Sequence, residues 1–152
     1  MRKYELVKTE EAKEYSKEHN TELFQVRALK DFVAETPYER VQVYKGDLGG
    51  FIENEYNLSQ TNNCWLLDRC FIFNNAILRE NACLLTLKDD WGWVILQDNA
   101  IVAGNATIWS NTILSDNCII KDEVYLSASG SMNVGGNAII SGALRIEVQQ
   151  GD

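Results

Sequence analysis

The side chains able to do chemistry are few in this chain. One histidine, His19, is present in 152 residues. Histidine is the side chain whose ordinary pKa suits it to take a proton near neutral pH, so the chain carries at most one such base. Four cysteines occur, Cys64, Cys70, Cys83 and Cys118, and none forms the C-x-x-C pair of a zinc knuckle. No phosphate-cradling glycine loop, no GxSxG nucleophile turn and no cluster of metal ligands appears. What remains is an acidic and aromatic run containing Asp89, Asp90, Trp91 and Trp93, and three dispersed cations, Arg69, Arg79 and Lys121.

The elements that must position these groups follow from a repeat of six. Asn99, Asn105, Asn111 and Asn117 recur at that spacing, each followed by a small residue and, two places later, by an aliphatic one. A helix repeats every ~3.6 residues and a flat strand every ~2. A period of six is the mark of a parallel β-helix, in which each hexad is one short strand and one corner. The small column extends upstream through Cys64, Cys70, Ala76, Ala82 and Val94, and the aliphatic one through Leu66, Ile72, Leu78, Leu84 and Leu96. One hexad breaks the pattern by placing Lys88 and Asp90 in these columns, so 87–92 is expected to bulge outward as a loop, since buried unpaired charge is costly. Asn and Gly at the corners, as in Asp98-Asn99, Gly104-Asn105 and Asp116-Asn117, tolerate the positive φ of a tight turn. Three cysteines sit in the small column and read as reduced core residues.

Composition narrows the function. The formal charge is −8 and the isoelectric point about 4.7, so direct nucleic-acid binding is not expected. No apolar run approaches the ~18 residues of a membrane span, and the opening MRKYELVKTEEAKEY lacks the core of a signal peptide. A cytoplasmic protein is expected. Residues 1–45 are not repetitive. Thr9 can cap a helix running to His19, strands are expected over Leu23 to Phe32 and around Val41 and Val43, and Pro37 falls in a loop from Ala34 to Arg40. This region reads as an α+β lobe packed on the repeats. Coils are expected over 46–148, with Leu48 in the aliphatic column and Ile52 and Leu58 in the small one. A bulge follows Ser127, after which the repeat resumes two residues out of phase, and 149–152 is a tail.

The hexads resemble those of the hexapeptide-repeat proteins that form a left-handed parallel β-helix. That resemblance implies a mainly β, three-sided prism with eighteen residues per coil and both columns pointing inward. The segments Arg27 to Phe32, Asp47 to Glu53, Asn57 to Ser59 and Asn63 to Trp65 resemble a small bacterial and phage group within it, over Arg27 to Ile146. Val33 to Arg40 departs from that group as an insertion.

Steps of eighteen sort the outward residues into columns. Ile77, Ile95 and Ile113 form one, and Trp65, Cys83, Ile101 and Ile119 another, flanked by Leu67 and Leu85. Two apolar faces imply that the N-terminal lobe covers one and a homo-oligomer, dimer or trimer, uses the other. A third face carries Phe73, Trp91 and Trp109, with Phe71, Asp89, Thr107 and Tyr125 beside them. Phe73, Asp89, Asp90, Trp91, Trp93, Trp109 and Tyr125 are therefore the candidate binding residues for a partner with a basic surface.

Many proteins with the resembled fold are acyltransferases that use a histidine base beside acyl-coenzyme A held between subunits. With its one histidine outside the repeats, this chain is expected to be non-catalytic and without a cofactor. The phage-like resemblance makes it an effector that blocks a host macromolecule such as a CRISPR-type antiviral defence complex. The alternatives are an acyltransferase using acyl-coenzyme A and an oligomeric sponge for a nucleotide signal held by Arg69, Arg79 and Lys121.

Overall fold

A computed structural model of the chain describes residues 2–86 and 92–149. It begins with β1 (Tyr4–Val7), α1 (Glu10–His19), β2 (Phe24–Ala28), β3 (Phe32–Glu35) and β4 (Arg40–Val43). Then come β5 (Leu48–Ile52), a 3-10 turn (Glu55–Asn57), β6 (Trp65–Leu66), β7 (Cys70–Ile72), β8 (Ile77–Leu78) and β9 (Cys83–Leu85). The remaining strands are β10 (Val94–Leu96), β11 (Ile101–Val102), β12 (Thr107–Trp109), β13 (Thr112–Leu114), β14 (Ile119–Ile120), β15 (Tyr125–Ala128), β16 (Met132–Val134), β17 (Ile139–Ile140) and β18 (Arg145–Val148). β5 stacks in parallel on β7, and from β6 onward strands three apart in this order stack in parallel, giving a β-solenoid of about five turns with three walls. The first wall runs β5-β7-β10-β13-β16, the second β8-β11-β14-β17 and the third β6-β9-β12-β15-β18.

The core is the two inward columns. Cys64, Cys70, Ala76, Ala82, Val94, Ala100, Ala106, Thr112, Cys118 and Val124 are fully buried, as are Leu66, Ile72, Leu78, Leu84, Leu96, Val102, Ile108, Leu114, Ile120 and Leu126. Each buried aliphatic is worth about 1.5–3 kcal/mol of transfer free energy. The start of the coil differs from the expected register. Ile52 pairs with Ile72 and Leu58 with Leu78, so both belong to the aliphatic column, while Leu48 is half exposed. The slip arises from two additional residues between Leu58 and Cys64. Gly50 has room for no side chain, because a Cβ there would lie 2.6 Å from the Cys70 carbonyl oxygen.

The outward columns are regrouped. Cys70 pairs with Val94, Ile77 with Ile101 and Cys83 with Thr107, each 24 positions on rather than eighteen. The irregular hexad lengthens one coil by six residues, and every outward residue beyond it moves to the next wall. Ile95 and Ile113 therefore follow Phe71 on the first wall. Ile77, Ile101, Ile119 and Ile139 form one column on the second. Trp65, Cys83, Thr107, Tyr125 and Arg145 line up on the third. Of the expected columns, Ile77 does not stack with Ile95 and Ile113, Trp65 and Cys83 do not stack with Ile101 and Ile119, and Trp109 pairs with Leu85 rather than continuing from Phe73. Asp89, Asp90 and Trp91 lie outside the described residues.

The corners are braced vertically. Asp98 and Asp116, each just before a repeated Asn, take positive φ, as do Gly104 before Asn105, Asp122 at a later corner and Asn111 itself, so the left-handed residue is at some corners the one before the repeated Asn and at one the Asn. In one corner Glu53 accepts from the Asn74 amide (3.0 Å), Asn74 from Asp98 (3.1 Å), Asp98 from Asp116 (2.9 Å) and Asp116 from Gly136 (2.7 Å). The adjacent amides, Asn75, Asn99, Asn117 and Asn137, bond to one another at 3.2–3.4 Å. Part of the acidic composition is thus structural, because each corner acid receives a backbone N–H from the coil above.

The N-terminal residues pack on two walls. β1 and β2 extend the first wall antiparallel below β5, and α1 lies on its outer face. β3 and β4 pair as a hairpin: β4 is the strand expected around Val41 and Val43, whereas Ala34, Glu35 and Arg40, expected in the connecting loop, are in the strands. The hairpin lies on the third wall: Phe32 meets Trp65 edge-on at 5.3 Å, and the Thr107 hydroxyl donates to Thr36 at 2.6 Å. Trp65 and Cys83 are consequently 2% and 1% exposed and cannot form an oligomer surface. Among the described residues no helix is long and apolar enough to cross a membrane.

Candidate functional site

His19 is delivered to the coil by the helix. Thr9 caps α1 by accepting the Ala12 N–H at 3.1 Å, and Asn20 ends it in the left-handed region at φ 52°. The Thr9 hydroxyl also donates to Gln25, whose amide donates to the Gly49 carbonyl, tying the helix to β2 and β5. Ala12, Tyr15 and His19 fall on one stripe of the helix. That stripe rests on Phe51, Phe71 and Phe73, which are 0%, 3% and 8% exposed. Tyr15 meets Phe51 and Phe71 edge-on at 4.9 and 4.8 Å. The half-buried His19 ring sits 5.0 Å from Phe71 and 5.1 Å from Phe73.

Two cavities meet at His19. The larger, about 540 Å³, is an apolar groove walled by Tyr15, Phe71, Trp93, Ile95 and Ile113, with Glu18 and Arg69 at its margin. The smaller, about 360 Å³, is polar and lined by Asn20, Thr21, Glu53, Phe73, Asn74 and Gln97. Both fall in the range usual for small-molecule sites. Arg69 occupies a corner at φ 59°, and its Nε donates to the Gly92 carbonyl at 3.0 Å, which holds the guanidinium beside the segment that presents Trp93. Burial pushes the Tyr15 hydroxyl up from its ordinary pKa, helped by the negative charges of Asp68 and Glu11, so it stays a neutral donor.

The candidate residues proposed from sequence are divided by this geometry. Phe73 and Trp93 belong to the two cavities at His19. Trp109 and Tyr125 line a separate recess on the third wall. Ile95 and Ile113, assigned to an oligomer interface, wall the groove. His19 itself had been set aside because it lies outside the repeats. The signal that recovers it is the Ala12/Tyr15/His19 spacing, which commits the histidine to whatever surface the helix covers. Arg79 is paired with Glu80 at 4.0 Å and is distant in role from the Arg69 margin.

The chain is similar to a named acetyltransferase. It is 33% identical over 103 residues to "Uncharacterized acetyltransferase YdcK" of Escherichia coli (strain K12). The match covers 65% of this chain and 29% of the relative, so the chain spans less than a third of the relative's length. No protein-family profile matches the chain. The repeat, the solenoid and this relative together support the hexapeptide-repeat, left-handed β-helix family; the bacterial and phage subgroup gains nothing from them. The expectation of a non-catalytic chain is corrected, because the named relative is an acetyltransferase and points to an enzyme. The inhibitor of a host defence complex finds no support in the comparison.

Proposed function

We propose that this chain is an acyltransferase that takes an acyl group from acyl-coenzyme A, with His19 as the general base. The observation that carries the reading is the position of His19 at the junction of an apolar groove and a polar recess. The similarity to a named acetyltransferase favours the same chemistry. In this arrangement the thioester lies along Phe71, Ile95, Ile113 and Trp93, and the acceptor enters the recess beside Glu53, Asn74 and Gln97. An imidazole nitrogen takes the proton of the acceptor hydroxyl or amine as its heteroatom attacks the thioester carbonyl. The C–S bond then breaks, the acyl group stays on the acceptor, and the coenzyme A thiolate leaves to be protonated. A positioned base of this kind contributes about 10²–10⁴-fold.

The test is thiol release from acetyl-coenzyme A by the purified chain with hydroxyl and amine acceptors. His19→Ala is expected to lower kcat by about 10²–10³-fold with KM for acetyl-coenzyme A nearly unchanged. Wild-type turnover that survives His19→Ala in full would remove the histidine from the mechanism.

We also propose that a second copy of the chain packs on the second wall. Ile77, Ile101, Ile119 and Ile139 stand there in register, and the docked helix and hairpin occupy the other two walls.

A further inference from the structure

The recess on the third wall carries an unanswered polar demand. It encloses about 380 Å³ and is lined by Trp109, Ser110, Asn111, Tyr125, Ser127, Ala128 and Ser129. Ser110 is 6% exposed, and its hydroxyl has no hydrogen-bond partner among the described residues. The indole N–H of Trp109, in the same lining, is also shut off from solvent and without a partner there. Leaving a buried donor unanswered costs about 1–3 kcal/mol, so two in one recess constitute a standing preference for a ligand with oxygen acceptors.

The rest of the lining specifies that ligand further. It contains no charged side chain, which disfavours phosphate, carboxylate or ammonium as the main handle. Two aromatic rings and three serines line it, a combination that matches a ring with an apolar C–H face and a hydroxyl rim. Tyr125 is held in place by Tyr38, 5.1 Å away, and by the Arg145 guanidinium 4.4 Å over its ring. Arg145 in turn is paired with Glu147 at 3.1 Å, so its charge is already answered. Asn111 is likewise fixed, donating to the Ala128 carbonyl at 3.0 Å. The walls are therefore braced before any ligand arrives, which reduces the ordering cost of binding.

We propose that this recess, separate from the His19 cavities, is a binding site for a neutral saccharide, with the ring stacked on Tyr125 and ring or hydroxyl oxygens accepting from Trp109 Nε1 and Ser110 Oγ after a small rotation of those side chains opens the sealed donors to the recess. The direct readout is the set of tryptophan indole N–H signals in a nitrogen-15 NMR titration. The probes are glucose, N-acetylglucosamine and cellobiose, each taken to about 50 mM to reach the weak affinities expected of one ring. The expected result is a saturable shift of one indole signal with at least one sugar. That signal should be missing in Trp109→Phe, whose affinity should fall about 10-fold, and Ser110→Ala should weaken binding about 5-fold with all indole signals retained. No shift with any of the three sugars would overturn the proposal. So would saturation by adenosine in their place, or sugar binding unaltered in both variants.

Discussion

At the scale of single residues, the polar groups sealed inside the coil set how the protein responds to alkali. Cys64, Cys70, Cys83 and Cys118 are all buried thiols whose pKa is raised chiefly by burial, Cys83 to about 12. In the unfolded chain a thiol ionises near ~8.5, so above that pH the native state holds protons that the unfolded state has released. Stability from these thiols is complete below about pH 8.5 and declines as pH rises toward their native values. Lys3 acts in the opposite sense. It is fully buried, donates to the Cys64 carbonyl at 2.7 Å and lies 3.3 Å from the Cys64 sulfur, and burial lowers its pKa. Between that lowered value and ~10.4 the unfolded lysine binds the extra proton, so its contribution to stability rises with pH. Urea titrations at pH 7 and 9.5 should show Cys83→Ala losing about 1 kcal/mol less than wild type over that interval, and Lys3→Met losing more. An identical loss in all three proteins would show that these groups do not titrate with folding.

At the scale of elements, the hairpin and the helix are what turn a bare prism into a site-bearing one. Much of the prism was legible, because a period of six admits one architecture and all ten small and ten aliphatic positions described between Cys64 and Leu126 are fully buried. Two things were not legible. A six-residue insertion leaves the inward pattern in phase while carrying every outward residue onto a different wall, so the columns drawn from steps of eighteen failed beyond Thr86. A segment outside the repeat gives no periodic signal of where it docks: the helix to His19 and the strand around Val41 were legible, but the seating of the β3–β4 hairpin on the third wall and of His19 on the first were not. Hairpin docking is measurable through the bond between Thr36, 7% exposed, and Thr107, fully buried. Thr36→Val should cost about 1–3 kcal/mol by stranding the Thr107 hydroxyl, and Thr36→Val with Thr107→Val should recover part of that loss. Strict additivity of the two would mean that the hairpin does not rest on this bond.

At the scale of the whole molecule, the three walls have different fates. The first is occupied by α1 and the His19 cavities, the third by the hairpin and the Trp109 recess, and the second presents isoleucines from four successive coils. Ile77, Ile101 and Ile119 are partly covered by their neighbours and Ile139 is 62% exposed. Light scattering should give a mass above that of one chain for the wild type and a monomer for Ile101→Asp, which places a charge in the middle of the column. A monomeric wild type would leave the second wall unassigned.

The two ends of the stack are also unlike. At the lower end, β1 and β2 run against the direction of the coils and the Lys3 ammonium plugs the prism beneath Cys64. At the upper end, β16, β17 and β18 each have a strand below and none above among the described residues. A one-dimensional stack of this kind frays from whichever terminus is not stoppered. The His19 cavities lie against the first wall beside β5 and β7, towards the stoppered end, so melting of the topmost coils would leave His19 and most of its groove standing.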